Sequence, residues 1–508
     1  MELTNLLVIF GMPLVLVGLF VVPFLRVWVD LADEGYLVFG IFRLRDGQLP
    51  IRDFRAYDPG RYYWCGLFTL IFGAGFFAAR VTMAVTMALA LCLLATLMIS
   101  ATDAPILSVL TCALAMIWMQ PRHKQIENFF AILGVFLLFD LSDDGGLLAY
   151  ATLGAAIGLS AFFGLNCFVY LVGASFLMAS LALDLPELPS LSALGLGFAL
   201  GMLPTLVMFV AAKGYARDYF QRKIWALFQR GSTNLKLPLP WIWATGKTAF
   251  DGYTPVRRLN LKGLFSLMPV LFVGGLSLPL IIGASEMSPP ERLIFAASCI
   301  GLVNFYHILS RADLGHMFLP ALPLSVLIAA SSYILFGTIG ASIAVALALL
   351  AAVWLVWQQP FQLIGYLRSR HDLVQFQCAT DRLYLPSKLA MQMERLQQVT
   401  QKWSTKDEPI LSVPMQIGLC AMFDRAHAVY DSFPVYPSGA PARRKMVEDL
   451  AKSRPKLMLI GTKAVDQRKD LIFLNNYPQV AAFIATDYTQ LETISGIEIY
   501  VRSNAYSP

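Results

Sequence analysis

Charge is what this chain has least of. Only 14% of its 508 residues are Asp, Glu, Lys or Arg, where a soluble domain carries about 25%. Cysteine is sparse too, and none of the seven stands at a metal-ligand spacing. Cys65, Cys92, Cys112, Cys167 and Cys299 lie in or beside apolar segments and read as small hydrophobes. Cys378 and Cys420 share the polar C-terminal stretch and can pair only if it faces an oxidising compartment. There is no run of Lys or Arg, so nucleic acid is not an expected partner. "LIGTKA" lacks the upstream glycine of a phosphate loop. Gly-x-Ser-x-Gly, internal repeats and low-complexity segments are missing as well. The N-terminus has no basic region ahead of its first apolar stretch, which is therefore expected to be retained as a span rather than cleaved.

Apolar residues, by contrast, make up 57% of the chain, and the mean hydropathy is +0.62. Apolar stretches recur at 5–25, 79–100, 103–120, 127–141, 147–164, 166–184, 193–212, 263–284, 292–309, 317–337 and 340–358. About twenty residues cross a hydrocarbon core, so the expected fold is an all-α polytopic membrane protein with about eleven transmembrane helices. These fill residues 1–358, with a first external loop at 27–78 and a long one at 213–262. Residues 62–78, rich in glycine and aromatics, read as an interfacial or re-entrant helix of the first loop. Residues 359–508 are different material. "ILSVP" and "KLMLIGT" read as buried strands, "APARRKMVEDLAKS" as a helix and "GIEIYVRS" as a closing strand. This predicts a small α/β extramembrane domain.

Counting through the helices collects the polar segments on one face. Three of them could carry chemistry. Asp33 and Glu34 follow the first span; an acid there can serve as a general base, or merely complement a helix dipole. "QPRHKQIEN" crowds Arg122, His123 and Lys124 into a turn before Glu127, and such cations also bind lipid headgroups. "SRADLGH" places Arg311, Asp313 and His316 within six residues at a span edge. Arg311 and His316 can donate to a phosphate while Asp313 holds one of them, a costly cluster to keep at a membrane boundary without a role. In the long loop, Arg217, Arg222, Lys223 and Arg230 alternate with Trp225, Trp241 and Trp243, as in an amphipathic surface helix.

The stretch "DEGYLVFGIFRLRDGQLPIRDFRAYDPG" resembles the first external loop of GT-C glycosyltransferases, multi-pass enzymes that take sugars from polyprenyl- or dolichyl-phosphate carriers. The matching residues are Asp33-Glu34, Tyr36, Gly47-Gln48-Leu49-Pro50, Asp53 and Tyr57-Asp58-Pro59-Gly60. The resemblance covers about thirty residues well; beyond them it lies in helix number, loop placement and a polar tail. It implies Asp33 as catalytic base with Glu34 second, Asp53 and Glu127 as supporting acids, and a donor phosphate held by Arg311 and His316 with help from Arg122, Lys124 and Asp313. The implied partners are a polyprenyl-phosphate-sugar donor, membrane lipids and an acceptor hydroxyl on a glycan, lipid or protein. One base and one attack imply inversion. No cofactor is expected, and the residues neither require nor exclude a divalent metal.

The resemblance also implies a bacterial inner-membrane protein whose motif face and C-terminal domain are periplasmic. The basic short loops argue the reverse by the positive-inside rule. The rival expectations are a transporter or lipid flippase, which would place charges near the midplane and show repeats, and a non-catalytic scaffold whose loop acids are dispensable.

Overall fold

The computed structural model describes residues 3–143, 145–182, 187–226, 228, 234–356, 363–379 and 381–503. Its contacts form two compact units, Met1–Pro23 with Met83–Ile364, and Phe24–Thr82 with Gly365–Pro508. The division expected at 358 follows chain order, and that boundary lies outside the described residues. The compact units instead group the first loop with the C-terminal stretch.

The first unit is built from apolar helices. Among the described residues, eight helices of the chain are long and apolar enough to cross a membrane, and two shorter apolar ones are Pro105–Trp118 and Leu147–Phe163. Leu314–Val356 is broken at Gly337, whose φ of 64° suits a residue without a Cβ. Over the described residues, each expected apolar segment therefore falls mainly on a helix. Phe176 and Val210 stand 74% and 86% exposed; such outward apolar surface is stable against hydrocarbon. Where two of these helices meet closely, small residues allow it. A Cβ on Gly154 or Gly158 would collide with the carbonyls of Leu194 and Phe198, and one on Gly197 or Gly201 with those of Ala151 and Ala155. This small-xxx-small packing brings backbones together without a hydrophobic driving force.

The second unit is a mixed α/β body. Its four-stranded sheet runs β3 (Leu411–Val413), β4 (Leu457–Gly461), β6 (Ile497–Arg502), β5 (Tyr488–Ile494). β3 and β4 are parallel, linked through the helix Ala440–Ser453, while β4–β6 and β5–β6 are antiparallel. Ser495 and Gly496, with φ of 54° and 80°, form the tight β5–β6 turn, since two left-handed residues match the strand twist. Leu411, Val413, Met458, Ile460, Leu450, Phe473 and Val480 close its core. The strands expected from "ILSVP", "KLMLIGT" and "GIEIYVRS" and the helix expected from "APARRKMVEDLAKS" are all present. A hairpin, β1 (Leu373–Cys378) with β2 (Asp381–Pro386), and the amphipathic helix Ser387–Trp403 are additional. Cys378 and Cys420 are buried and free.

The first-loop segment of this unit holds two helices, Asp33–Arg45 and Pro59–Phe72. Gly47 ends the first helix with φ 77°. Pro59 opens the second at a position where its missing N–H costs nothing. Gly40 is needed because a Cβ there would strike the ring of Tyr62.

Candidate functional site

In the membrane unit the turn Arg311–Asp313 joins the helices Pro289–Ser310 and Leu314–Val356. Asp313 caps the second helix, its Oδ1 accepting the backbone N–H of His316 at 3.0 Å. The same oxygen lies 2.7 Å from His316 Nδ1, and Oδ2 accepts Arg311 Nε at 2.7 Å. Burial would raise the Asp313 carboxyl, but His316 and Arg311 outweigh it and hold it at about 2. An ionised Asp313 places the proton of His316 on Nδ1. Arg311 also donates Nη1 to the carbonyl of Leu235 at 3.2 Å, and Asn234 donates to Ser310 Oγ at 2.9 Å. The guanidinium is thus fixed from two sides.

Two residues that the sequence did not single out complete this cluster. The His316 ring stacks on His307, with centroids 4.8 Å apart and planes at 28°. His307 Nδ1 is 3.0 Å from the Tyr170 hydroxyl. His307 carried a faint signal, as a second histidine at the end of the span preceding His316. Tyr170, on a separate span, carried none.

The "PRHKQIE" turn belongs to the same neighbourhood. Gln125 ties it down, donating Nε2 to the carbonyls of Met119 and Pro121 at 2.9 and 3.2 Å. Lys124 lies close enough to both His307 and His316 to act on them electrostatically, and Glu127, itself buried, does the same to Tyr170. A cavity of about 250 Å³ opens beside these groups, lined by Gln120, Pro121, Tyr253, Asp313, Gly315 and Phe318 among others. Gln120 Oε1 is buried there with no hydrogen-bond partner among the described residues. The fold thus brings together two polar turns far apart in sequence. Arg122 and His123 belong to the same short helical turn as Lys124. Among the described residues no group of three or more His, Cys, Asp or Glu could hold a metal.

In the long loop, Tyr215–Tyr219 runs without a break into Phe220–Trp225, which has π-type hydrogen bonding, so Arg217, Arg222, Lys223 and Trp225 share one helical stretch. Arg217 and Arg222 both approach Asp218, at 4.0 and 3.7 Å. Trp225 and Trp243 are exposed, Trp241 stacks on Trp243, and Arg230 lies outside the described residues.

In the second unit, the adjacent acids Asp33 and Glu34 have opposite environments. Glu34 is only 3% exposed. Arg80 grips it at both oxygens, Nε–Oε1 and Nη2–Oε2 each 2.7 Å, and donates also to the carbonyls of Leu25 and Trp28. This bidentate pair ties the helix start to the first turns of the helix Phe76–Thr102. Asp33 is partly exposed, and among the described residues its carboxylate makes no hydrogen bond or ion pair. Its neighbour is Tyr57, whose phenol burial and then the Asp33 charge push well above the ordinary value, keeping it protonated. Tyr57 packs edge-on against Tyr36 at 4.8 Å, with Arg61 over its ring. Asp53 accepts the N–H of Leu49 at 2.7 Å and pairs with Arg52, stapling the turn that Pro50 begins.

No family model matches the sequence, and no curated protein matches it. Solved structures do match in fold, among them two of one protein. The crystal structure of ArnT from Cupriavidus metallidurans bound to undecaprenyl phosphate superposes with a TM-score of 0.56 at 12% identity, over 99% of this chain and 98% of that one. The same protein in the apo state gives 0.52 at 11% identity, over 95% of each chain. The likeness is one of fold, and it spans nearly the whole length. The chain is an integral membrane protein with an ArnT-like architecture, the GT-C-like fold expected from its first loop.

Proposed function

We propose that this protein is a membrane glycosyltransferase that moves a sugar from a polyprenyl-phosphate carrier to an acceptor hydroxyl. The observation that carries the proposal is the cationic cluster of the membrane unit. Asp313 lines a cavity and holds both Arg311, which Leu235 fixes from the other side, and His316, on which Lys124 acts electrostatically, in a fold shared with a protein crystallised with undecaprenyl phosphate. Fixed cations at a span edge suit a lipid-borne phosphate, and they stabilise the charge that builds on it as the sugar leaves.

Of the first loop's acids, Asp33 is assigned the role of base. A general base needs a free lone pair and access to the attacking hydroxyl. Asp33 has both, whereas the two oxygens of Glu34 are occupied by Arg80. Deprotonation of the acceptor and a single displacement at the anomeric carbon give inversion. Glu127 and Asp53 support from their own turns, Glu127 through Tyr170 and Asp53 by holding the Leu49 turn. The charges of the described spans lie toward their ends, which favours an interfacial enzyme over a transporter with midplane groups. We place the reaction on the periplasmic face of a bacterial inner membrane.

The test is identification of the lipid that co-purifies with the full chain by mass spectrometry, alongside binding of added undecaprenyl phosphate. A polyprenyl phosphate that Arg311→Ala fails to retain is the expected result; retention by the variant equal to that of the unmodified chain would remove the assignment. For the face, a C-terminal alkaline phosphatase fusion is expected to be active and a GFP fusion dark, and the opposite pair reverses the topology.

A further inference from the structure

We infer that the C-terminal segment is a brace that positions Asp33, acting through Gly418 and Tyr430. The inference rests on the assignment of Asp33 as base and adds residues that touch no substrate. Asp33 lies between Leu31 and Gly35, and Gly418 contacts both. The Gly418 N–H donates to the Leu31 carbonyl at 2.9 Å. A Cβ on Gly418 would meet Leu31 Cα and O at 2.9 Å and Gly35 Cα at 3.1 Å, and a Cβ on Gly35 would run into the Gly418 backbone. Two bare backbones therefore abut directly beneath the start of the Asp33–Arg45 helix.

The backbone on either side of that helix is strained. Trp28 has φ 61° and Ile51 φ 72°, left-handed values that a bulky or β-branched side chain adopts only when its surroundings impose them. In both cases the C-terminal segment contributes, beside local bonds from Arg80 to the Trp28 carbonyl and from the Ile51 N–H to Phe54. Trp28 N–H donates to the Tyr384 carbonyl at 2.9 Å, and Tyr384 N–H returns to Arg26 at 2.7 Å. The Ile51 carbonyl accepts the Tyr430 hydroxyl at 2.6 Å. Arg55 continues the seam, its N–H on the Tyr430 carbonyl and its guanidinium on Asp431 and the Phe433 carbonyl. Strain at both ends of a segment that presents one unpaired carboxylate is the pattern of a pre-organised group. Without the brace, Trp28 and Ile51 relax and Asp33 loses its fixed place beside Tyr57.

The experiment compares Gly418→Ala and Tyr430→Phe with the unmodified full-length chain in detergent. Two readouts need no sugar: carbodiimide coupling at Asp33 followed by mass spectrometry, and amide exchange over residues 28–36. Both rates are expected to rise by about tenfold for Gly418→Ala and less for Tyr430→Phe, which removes one hydroxyl and leaves the ring in place. In turnover of an undecaprenyl-phosphate sugar, kcat is expected to fall by about tenfold, the cost of a slightly misplaced group, with KM and undecaprenyl phosphate binding unchanged. Unaltered labelling and exchange in both variants overturn the brace. So does a fall in carrier binding that matches the fall in kcat, which marks general loss of structure. If Gly418→Ala does not fold, Tyr430→Phe decides by the same readouts. Should Asp33→Asn keep full turnover, the base assignment falls while labelling and exchange still judge the brace.

Discussion

The two compact units handle charge in opposite ways. In the membrane unit the charges are few, and the best-defined cluster is a chain of mutual restraint. Leu235 and Asp313 hold Arg311, Asp313 holds His316, and His316 stacks on His307. In the other unit ion pairs are plentiful, from Arg80–Glu34 to Arg55–Asp431 and Arg45–Asp424. Yet Asp33, partly exposed, is left out of them among the described residues. Cations meant to hold an anion are best fixed in advance, because order built into the fold need not be lost on binding. A base must keep a lone pair for the proton it takes. The difference between the units thus matches the two roles proposed for them.

The sharpest way to break that comparison is at Asp33. Asp33→Asn keeps the shape and removes the basicity, and turnover is expected to fall by about a thousandfold with undecaprenyl phosphate binding intact. A variant that binds and turns over normally would leave the loop unit without its role. Glu34→Ala, one residue away, is expected to act on the fold instead. It strands Arg80 in a buried site, a loss of about 3–5 kcal/mol that should appear as a lower melting temperature and poor recovery of folded protein. Equal melting temperatures for the two variants would erase the distinction between these neighbours.

On the membrane side, Arg311→Ala is expected to weaken undecaprenyl phosphate binding by about tenfold or more, the scale of a lost charge-assisted hydrogen bond, measured by titration in micelles. The smallest effect is one of pH. Burial pushes His427 down to about 4 from its ordinary 6.5, so the folded state binds fewer protons than the unfolded one between those values. The stability it contributes is complete above pH 6.5 and drains away as pH falls toward 4. Asp313, held at about 2, has the depressed pKa of a paired acid. Its contribution persists down to its unfolded value near 3.8 and is lost only below it. Amide exchange near His427, taken relative to its intrinsic rate at each pH, should therefore speed up as pH falls from 6.5 to 4.5, and His427→Phe should flatten that change.

Much of this was legible in the chain. Hydropathy located the apolar helices because the bilayer demands length and apolarity, both of which are local properties. The β3, β4 and β6 strands and the helix Ala440–Ser453 were visible as short apolar runs and an amphipathic period. The β1–β2 hairpin was not, although Phe376, Cys378, Leu383 and Leu385 are buried in alternation with exposed residues, because so short an alternation is a weak signal. The "PRHKQIE" and "SRADLGH" turns announced themselves as costly charges. Their meeting with His307 and Tyr170 did not, because those partners lie on other helices.

By itself the sequence determined that this is a polytopic membrane protein with a small polar body, and that Asp33, Glu34 and Arg311 are chemically conspicuous. Hydrophobic length and residue type suffice for that, as they act one segment at a time. Only the tertiary structure decided that Glu34 is consumed by Arg80 while Asp33 stays open, and that the first loop is clasped by the C-terminal segment. Those outcomes depend on which groups meet across hundreds of residues, and the distances that settle a charge's fate exist only once the chain is folded.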